Sequence, residues 1–159
     1  MDQLTDPLTH AAVLIIEDGD EYRESLTRFV PGPTWHQARS AAAALALLEA
    51  TPIHLVYLDM RFDRIPRAEL VGDHAAATAA RDGDPARGWR YLQNNQGLFI
   101  LDALARAGHA DRPVILSHDF SREPARWRAL SRRYPRLEWV HDAISPAEIR
   151  ARMTRLLES

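Results

Sequence analysis

Two short apolar runs, each closed by an acid, constrain this chain more than any other feature of its sequence. Ala11-Ala12-Val13-Leu14-Ile15-Ile16 runs into Glu17-Asp18-Gly19-Asp20, and Ile53-His54-Leu55-Val56-Tyr57-Leu58 runs into Asp59. Neither run alternates cleanly between polar and apolar residues. A short, continuous apolar run rich in β-branched side chains has no face to offer to water. It fits a strand covered on both sides, as in a parallel sheet between two helix layers.

The segments between and after these runs read as helices and further strands. Tyr22, Leu26 and Phe29 recur at helical spacing until Pro31-Gly32-Pro33, which predicts an amphipathic first helix with those three side chains inward. A short strand over Thr34 to Ala38 follows, then Ser40 as N-cap of a helix over Ala41 to Ala50. After Asp59, a helix is expected over Gly97 to Gly108, with Leu98, Leu101, Leu104 and Ala105 on one face. Pro113 to Leu116 makes the fourth strand, and Trp127, Leu130 and Tyr134 mark a fourth helix. Leu137 to His141 makes the fifth strand. Ser145-Pro146-Ala147-Glu148 opens the last helix, with N-cap, proline at the first position and glutamate at the third.

Strand alternating with helix, joined by right-handed crossovers, predicts an α/β doubly wound fold: a five-stranded parallel sheet in the order 2-1-3-4-5 flanked by five helices. At 159 residues, with 46% apolar side chains and a formal charge of −2, one domain over 1–159 is expected, its core spanning 10–157 and no separate effector. Residues 62–96 do not fit the alternation. Their aspartates, glycines, prolines and alanine-rich middle, Ala75 to Ala80, predict an insert that is either a lid or docking element bearing Trp89, Arg90 and Tyr91, or an extra helix packed at the sheet edge.

Composition closes several classes. No apolar run approaches the ~18 residues of a membrane span. With no cysteine, disulfides, thiolate nucleophiles and cysteine-ligated zinc are excluded. Asp2 and Asp6 stand where a secretory leader would be basic, so a cytoplasmic location is expected. All twenty cations are arginine. Residues 1–79 hold six arginines and twelve acids, while residues 80–159 hold fourteen arginines and ten acids.

In a 2-1-3-4-5 sheet the functional crevice lies at the carboxyl ends of the strands, which directs attention to Glu17, Asp18, Asp59 and Ser117. Acids at strand ends are often merely solvated. Three together repel one another unless a cation or a proton intervenes, and Mg²⁺ is the hard cation such oxygens suit. Ser117 adds a hydroxyl to the same rim.

These residues resemble the response-regulator receiver domain of two-component signalling. The resemblance covers most of the chain and is carried by VLIIEDGDEYRESL, HLVYLDM, QGLFILDALARAG, RPVILSHD and ISPAEIRARM. It implies a flavodoxin-like fold and an Mg²⁺ site from Glu17, Asp18, Asp59 and the backbone carbonyl of Arg61. It also implies Asp59 as phospho-acceptor and Ser117 as the phosphate-contacting switch residue. Members of the family carry a lysine at the end of the fifth strand. Here the stretch is Val140-His141-Asp142-Ala143-Ile144-Ser145, where His141 is the candidate replacement and Asp142 adds negative charge.

Between Arg122 and Arg136 six arginines face a single acid, Glu123, and the last helix adds Arg150, Arg152 and Arg155. Such a run is usually a solvated face. In receivers this region is the output surface, which points to Arg126, Arg133 and Arg150 as partner contacts. The expected partners are a histidine kinase or another signalling protein, with a homodimer through the fourth helix, fifth strand and last helix as a further option. Nucleic acid is disfavoured by the negative net charge and the lack of a recognition-helix motif.

Three functions follow. The first is a stand-alone receiver-like module acting by protein interaction, with an Mg²⁺-capable pocket and Asp59 as acceptor, and not an enzyme. The second is a phosphorylation-independent pseudo-receiver, favoured by the missing lysine and Asp142. The third is an Mg²⁺-dependent phosphohydrolase with Asp59 as nucleophile.

Overall fold

The computed structural model describes residues 5–159, so Asp2 lies outside the described residues. Five strands form one sheet: β1 (Ala12–Ile16), β2 (Thr34–Ala38), β3 (Leu55–Asp59), β4 (Val114–Ser117) and β5 (Leu137–Val140). All neighbours pair in parallel in the order β2-β1-β3-β4-β5, as the alternation predicts.

The two apolar runs are buried on both faces. Val13 and Ile15 of β1, Leu55 and Tyr57 of β3 and Ile115 of β4 meet Leu26 and Val30, and also Ile149, Met153 and Leu156. Those partners come from the first helix, α1 (Glu21–Phe29), and its C-cap, and from the last, α7 (Pro146–Glu158). Leu14, Ile16, Val56, Leu58, Val114 and Leu116 point the other way. They pack on α2 (Ala41–Ala50), α5 (Gln96–Leu104) and α6 (Pro124–Arg133). Side chains alternate along a strand, so a run that is apolar at every position must sit between two layers.

The described residues form seven α-helices rather than five, because the 62–96 segment folds into α3 (His74–Ala79) and α4 (Pro85–Asn94). Asp73 and Asp84 cap them, accepting hydrogen bonds from the amides of Ala76 and Ala86 at 3.0 Å each. Gly88 of α4 lets the two helices touch, since a Cβ there would come within 2.3 Å of the Thr78 hydroxyl.

One core assignment from the sequence is corrected. Phe29 is 55% exposed, and Val30 is buried in its place. The helix ends at Phe29, and the change of backbone at its C-cap turns Val30 inward. Phe29 is left under the Arg28 guanidinium, 5.1 Å from its ring.

Candidate functional site

The carboxyl ends of β3 and β4 bring Asp59 and Ser117 side by side, in direct register. A cavity of about 440 Å³ opens over them, walled by Tyr22 of α1, Met60 and Arg61 after β3, Asn94 at the end of α4, His118 and Asp119 after β4, and Asp142 after β5. Its depth comes from close packing. A Cβ on Gly97 would lie 2.4 Å from the Asp59 carbonyl oxygen, so only glycine lets the start of α5 approach the end of β3.

The acidic residues predicted from sequence are all near this rim, but they do not act alike. Glu17 is 1% exposed and accepts hydrogen bonds from the amides of Tyr22 (3.1 Å) and Arg23 (3.0 Å), with the Gln37 amide at 3.4 Å. It therefore caps α1 from the end of β1, a task that the N-cap residue Asp20 leaves undone. Burial raises the Glu17 carboxyl above its ordinary range, and these amide bonds oppose the rise. Asp18 accepts hydrogen bonds through Oδ2 from the amides of Asp63 and Arg64, both at 2.9 Å, and so pins the loop after β3. Asp59 Oδ1 accepts from its neighbour's amide, Met60, at 2.8 Å.

Burial, with added repulsion from Asp18 and Glu17, pushes Asp59 up to about 7 against the opposing Met60 bond. Among the described residues no three His, Asp or Glu side chains converge as a ligand set. Glu17, expected as a ligand, spends both oxygens on protein donors. Asp18 Oδ1 and Asp59 Oδ2 have no hydrogen-bond partner among the described residues. Two carboxylates with uncompensated charge, completed by water, are a donor set that Mg²⁺ accepts, so the residues present fit this ion through Asp18 and Asp59.

Ser117 is buried, and its Oγ lies 2.7 Å from the Tyr22 hydroxyl. Burial pushes the Tyr22 phenol up to about 12 despite this bond, so it is a neutral partner at physiological pH. Tyr22 was read from the sequence as a core-facing residue of the first helix. Its ring does rest on Tyr57, 5.1 Å between centroids, but its hydroxyl ends in the site. A tyrosine at a helical core position close to a strand end is the signal that could have revealed it.

At the end of β5 the structure separates the two candidates for the lysine position. Asp142 walls the cavity, whereas His141 is exposed and is not part of the wall. The histidine at the rim is His118, whose Nε2 lies 2.8 Å from Glu123 and holds that carboxyl below its ordinary range. Arg61, in the cavity wall, pairs with Asp63 at 3.0 Å.

The arginines predicted as partner contacts are tied down within the chain. Arg126 bonds Glu123 (2.9 Å) and Asn95 (2.5 Å), Arg133 pairs with Asp102, and Arg150 pairs with Asp6 and bonds the Pro31 carbonyl (3.0 Å). Arg122, Arg128 and Arg132 are exposed and have no such partner among the described residues.

No protein-family model and no curated protein sequence matches the chain. Solved structures do. The receiver domain of the Francisella response regulator 1452 superposes with a TM-score of 0.61 at 14% identity, covering 93% of this chain and 97% of that one. The receiver domain of NtrX from Brucella abortus gives 0.61 at 18% identity, covering 92% and 98%. A CheY-like receiver domain from Methanospirillum hungatei gives 0.57 at 11% identity, covering 93% and 94%. The order of the sheet, the layers on its two faces and these superpositions agree: this chain has the fold of the response-regulator receiver domains.

Proposed function

We propose that this chain is a receiver-like signalling module that acts by protein–protein interaction, and that it does so without a phosphoryl switch. The observation that carries the reading is the state of the pocket over Asp59. Two acids, Asp142 and Asp119, stand in its wall, the wall's arginine, Arg61, is paired with Asp63, and the Ser117 hydroxyl is already engaged by Tyr22. A phosphoryl group on Asp59 would add charge to a site that already raises its own carboxyl. Asp18, Asp59 and the Arg61 backbone carbonyl would hold Mg²⁺, which supplies, when bound, the positive charge these acids lack.

Partner contact falls to the basic edge of the sheet. Arg122, Arg128 and Arg132 are free to meet an acidic surface, on a kinase or another signalling protein. They support such a partner better than a symmetric homodimer through the same face, where two basic surfaces would repel.

A second reading, with Asp59 as phospho-acceptor, is favoured by the register of Asp59 with Ser117 and by the unpartnered Asp59 Oδ2. Intact mass after incubation with acetyl phosphate and Mg²⁺ separates the two. The first reading expects no adduct on wild type or on Tyr22→Phe. One added phosphoryl group on wild type, absent from Asp59→Asn, establishes the second.

A further inference from the structure

The insert builds a second polar recess beside the first. A cavity of about 210 Å³ is lined by Arg81, Arg87, Arg90, Tyr91, Asn94 and Asn95. Asn94 also walls the Asp59 cavity, so the two adjoin. Arg87, Arg90, Tyr91 and Asn94 recur at helical spacing and form one face of α4.

This face is short of negative charge. Arg81 arrives from the turn after α3, donates to the Ala77 carbonyl at 3.0 Å and lies over the Tyr91 ring at 3.5 Å, an arrangement that fixes its guanidinium in place. Arg87 reaches Asp82 only at 3.5 Å, and that carboxylate is 96% exposed. The other nearby acid, Asp84, is committed to capping α4. Arg90 has no partner among the described residues. Like charges one helical turn apart are unfavourable on an isolated helix, so Arg87 and Arg90 share a face at a cost that an anion would remove.

We propose that this recess binds a phosphoryl anion, held by Arg81, Arg87 and Arg90 with the side-chain amides of Asn94 and Asn95 as further donors. Guanidinium forks match the tetrahedral oxygens of phosphate, and three of them around one recess favour a multiply charged group over a single carboxylate. At ~30 Å³ per water, a space of about 210 Å³ is large enough for one or two phosphoryl groups. The group can arrive as a free diphosphate or on a phosphorylated side chain. The site does not depend on phosphorylation of Asp59.

The test is calorimetric titration of the full chain, at low salt, with pyrophosphate, a phosphoserine peptide, its unphosphorylated form and a glutamate-substituted form. Arg90→Gln is the informative variant, because Arg90 makes no internal bond that folding needs. Arg28→Gln on α1 is the control for charge alone. The expected result is a loss of roughly tenfold or more in affinity for Arg90→Gln and little change for Arg28→Gln. Binding of pyrophosphate alone assigns a free ligand, and phosphate-dependent binding of the peptide assigns a phosphorylated side chain. No binding by wild type, equal binding by Arg90→Gln, or a glutamate peptide that binds as well as the phosphopeptide would each overturn the proposal.

Discussion

Tyr57 and Asp59 stand two residues apart on β3, and each buries a polar group at a cost. The Tyr57 hydroxyl is buried with no hydrogen-bond partner among the described residues, and burial holds its phenol far above the ordinary range. Removing an unsatisfied buried group without changing shape is neutral or favourable, so Tyr57→Phe is expected to stabilise the fold by about 1 kcal/mol, read from urea unfolding. Asp59 makes a pH-dependent case. Its folded value of about 7 lies above the ordinary carboxylate range, so the unfolded chain loses this proton at lower pH than the folded one. Stability therefore falls as pH rises through the window from the ordinary carboxylate value to about 7, by up to a few kcal/mol. Asp59→Asn removes that cost. Its advantage over wild type should be small near pH 4.5 and full at pH 8, and a constant difference across that range would contradict this linkage.

At the scale of elements, a buried polar side chain ties two parts of the insert together. Gln96, at the start of α5, is fully buried. It accepts from the Val71 amide at 2.8 Å and donates to the carbonyls of Val71 (2.9 Å) and Leu92 (3.1 Å). It thereby joins the loop after β3 to the end of α4. Gln96→Ala strands the Val71 amide and both carbonyls, with an expected loss of about 2–3 kcal/mol. Amide exchange at Val71 should accelerate first, ahead of exchange in β1 and β3. The insert was legible as an irregular segment with an alanine-rich middle, and it folds into two helices, α3 and α4, packed on each other and reaching α5. Its place beside the Asp59 site was expected of a lid, but that Asn94 makes the approach was not legible, because the direction of α4 depends on the Gly88–Thr78 contact and the Gln96 clamp.

Across the whole molecule, sheet order turns a sequence imbalance into a spatial one. The acid-rich residues 1–79 supply β1, β2 and β3, and the arginine-rich residues 80–159 supply β4 and β5 at the other edge. Of the ion pairs among the described residues, only that of Arg150 with Asp6 joins the two halves. The molecule is thus polarised along its sheet. Although its formal charge is −2, it should be retained on a sulfonate cation exchanger at pH 7 in low salt. The variant Arg122→Glu/Arg128→Glu/Arg132→Glu should pass through unretained.

The sequence by itself determined the sheet. Runs that are apolar at every position have only one way to avoid water, and the order of the strands follows from short right-handed crossovers. It also placed Asp59 and Ser117, because strand ends are where such a sheet presents side chains. What those side chains do was decided by tertiary structure. Glu17 caps α1, Asp142 rather than His141 walls the cavity, and Tyr22 crosses from a core helix to hold Ser117. Each of these depends on which donor comes within hydrogen-bond reach of which acceptor once the layers close, and local sequence does not encode that distance.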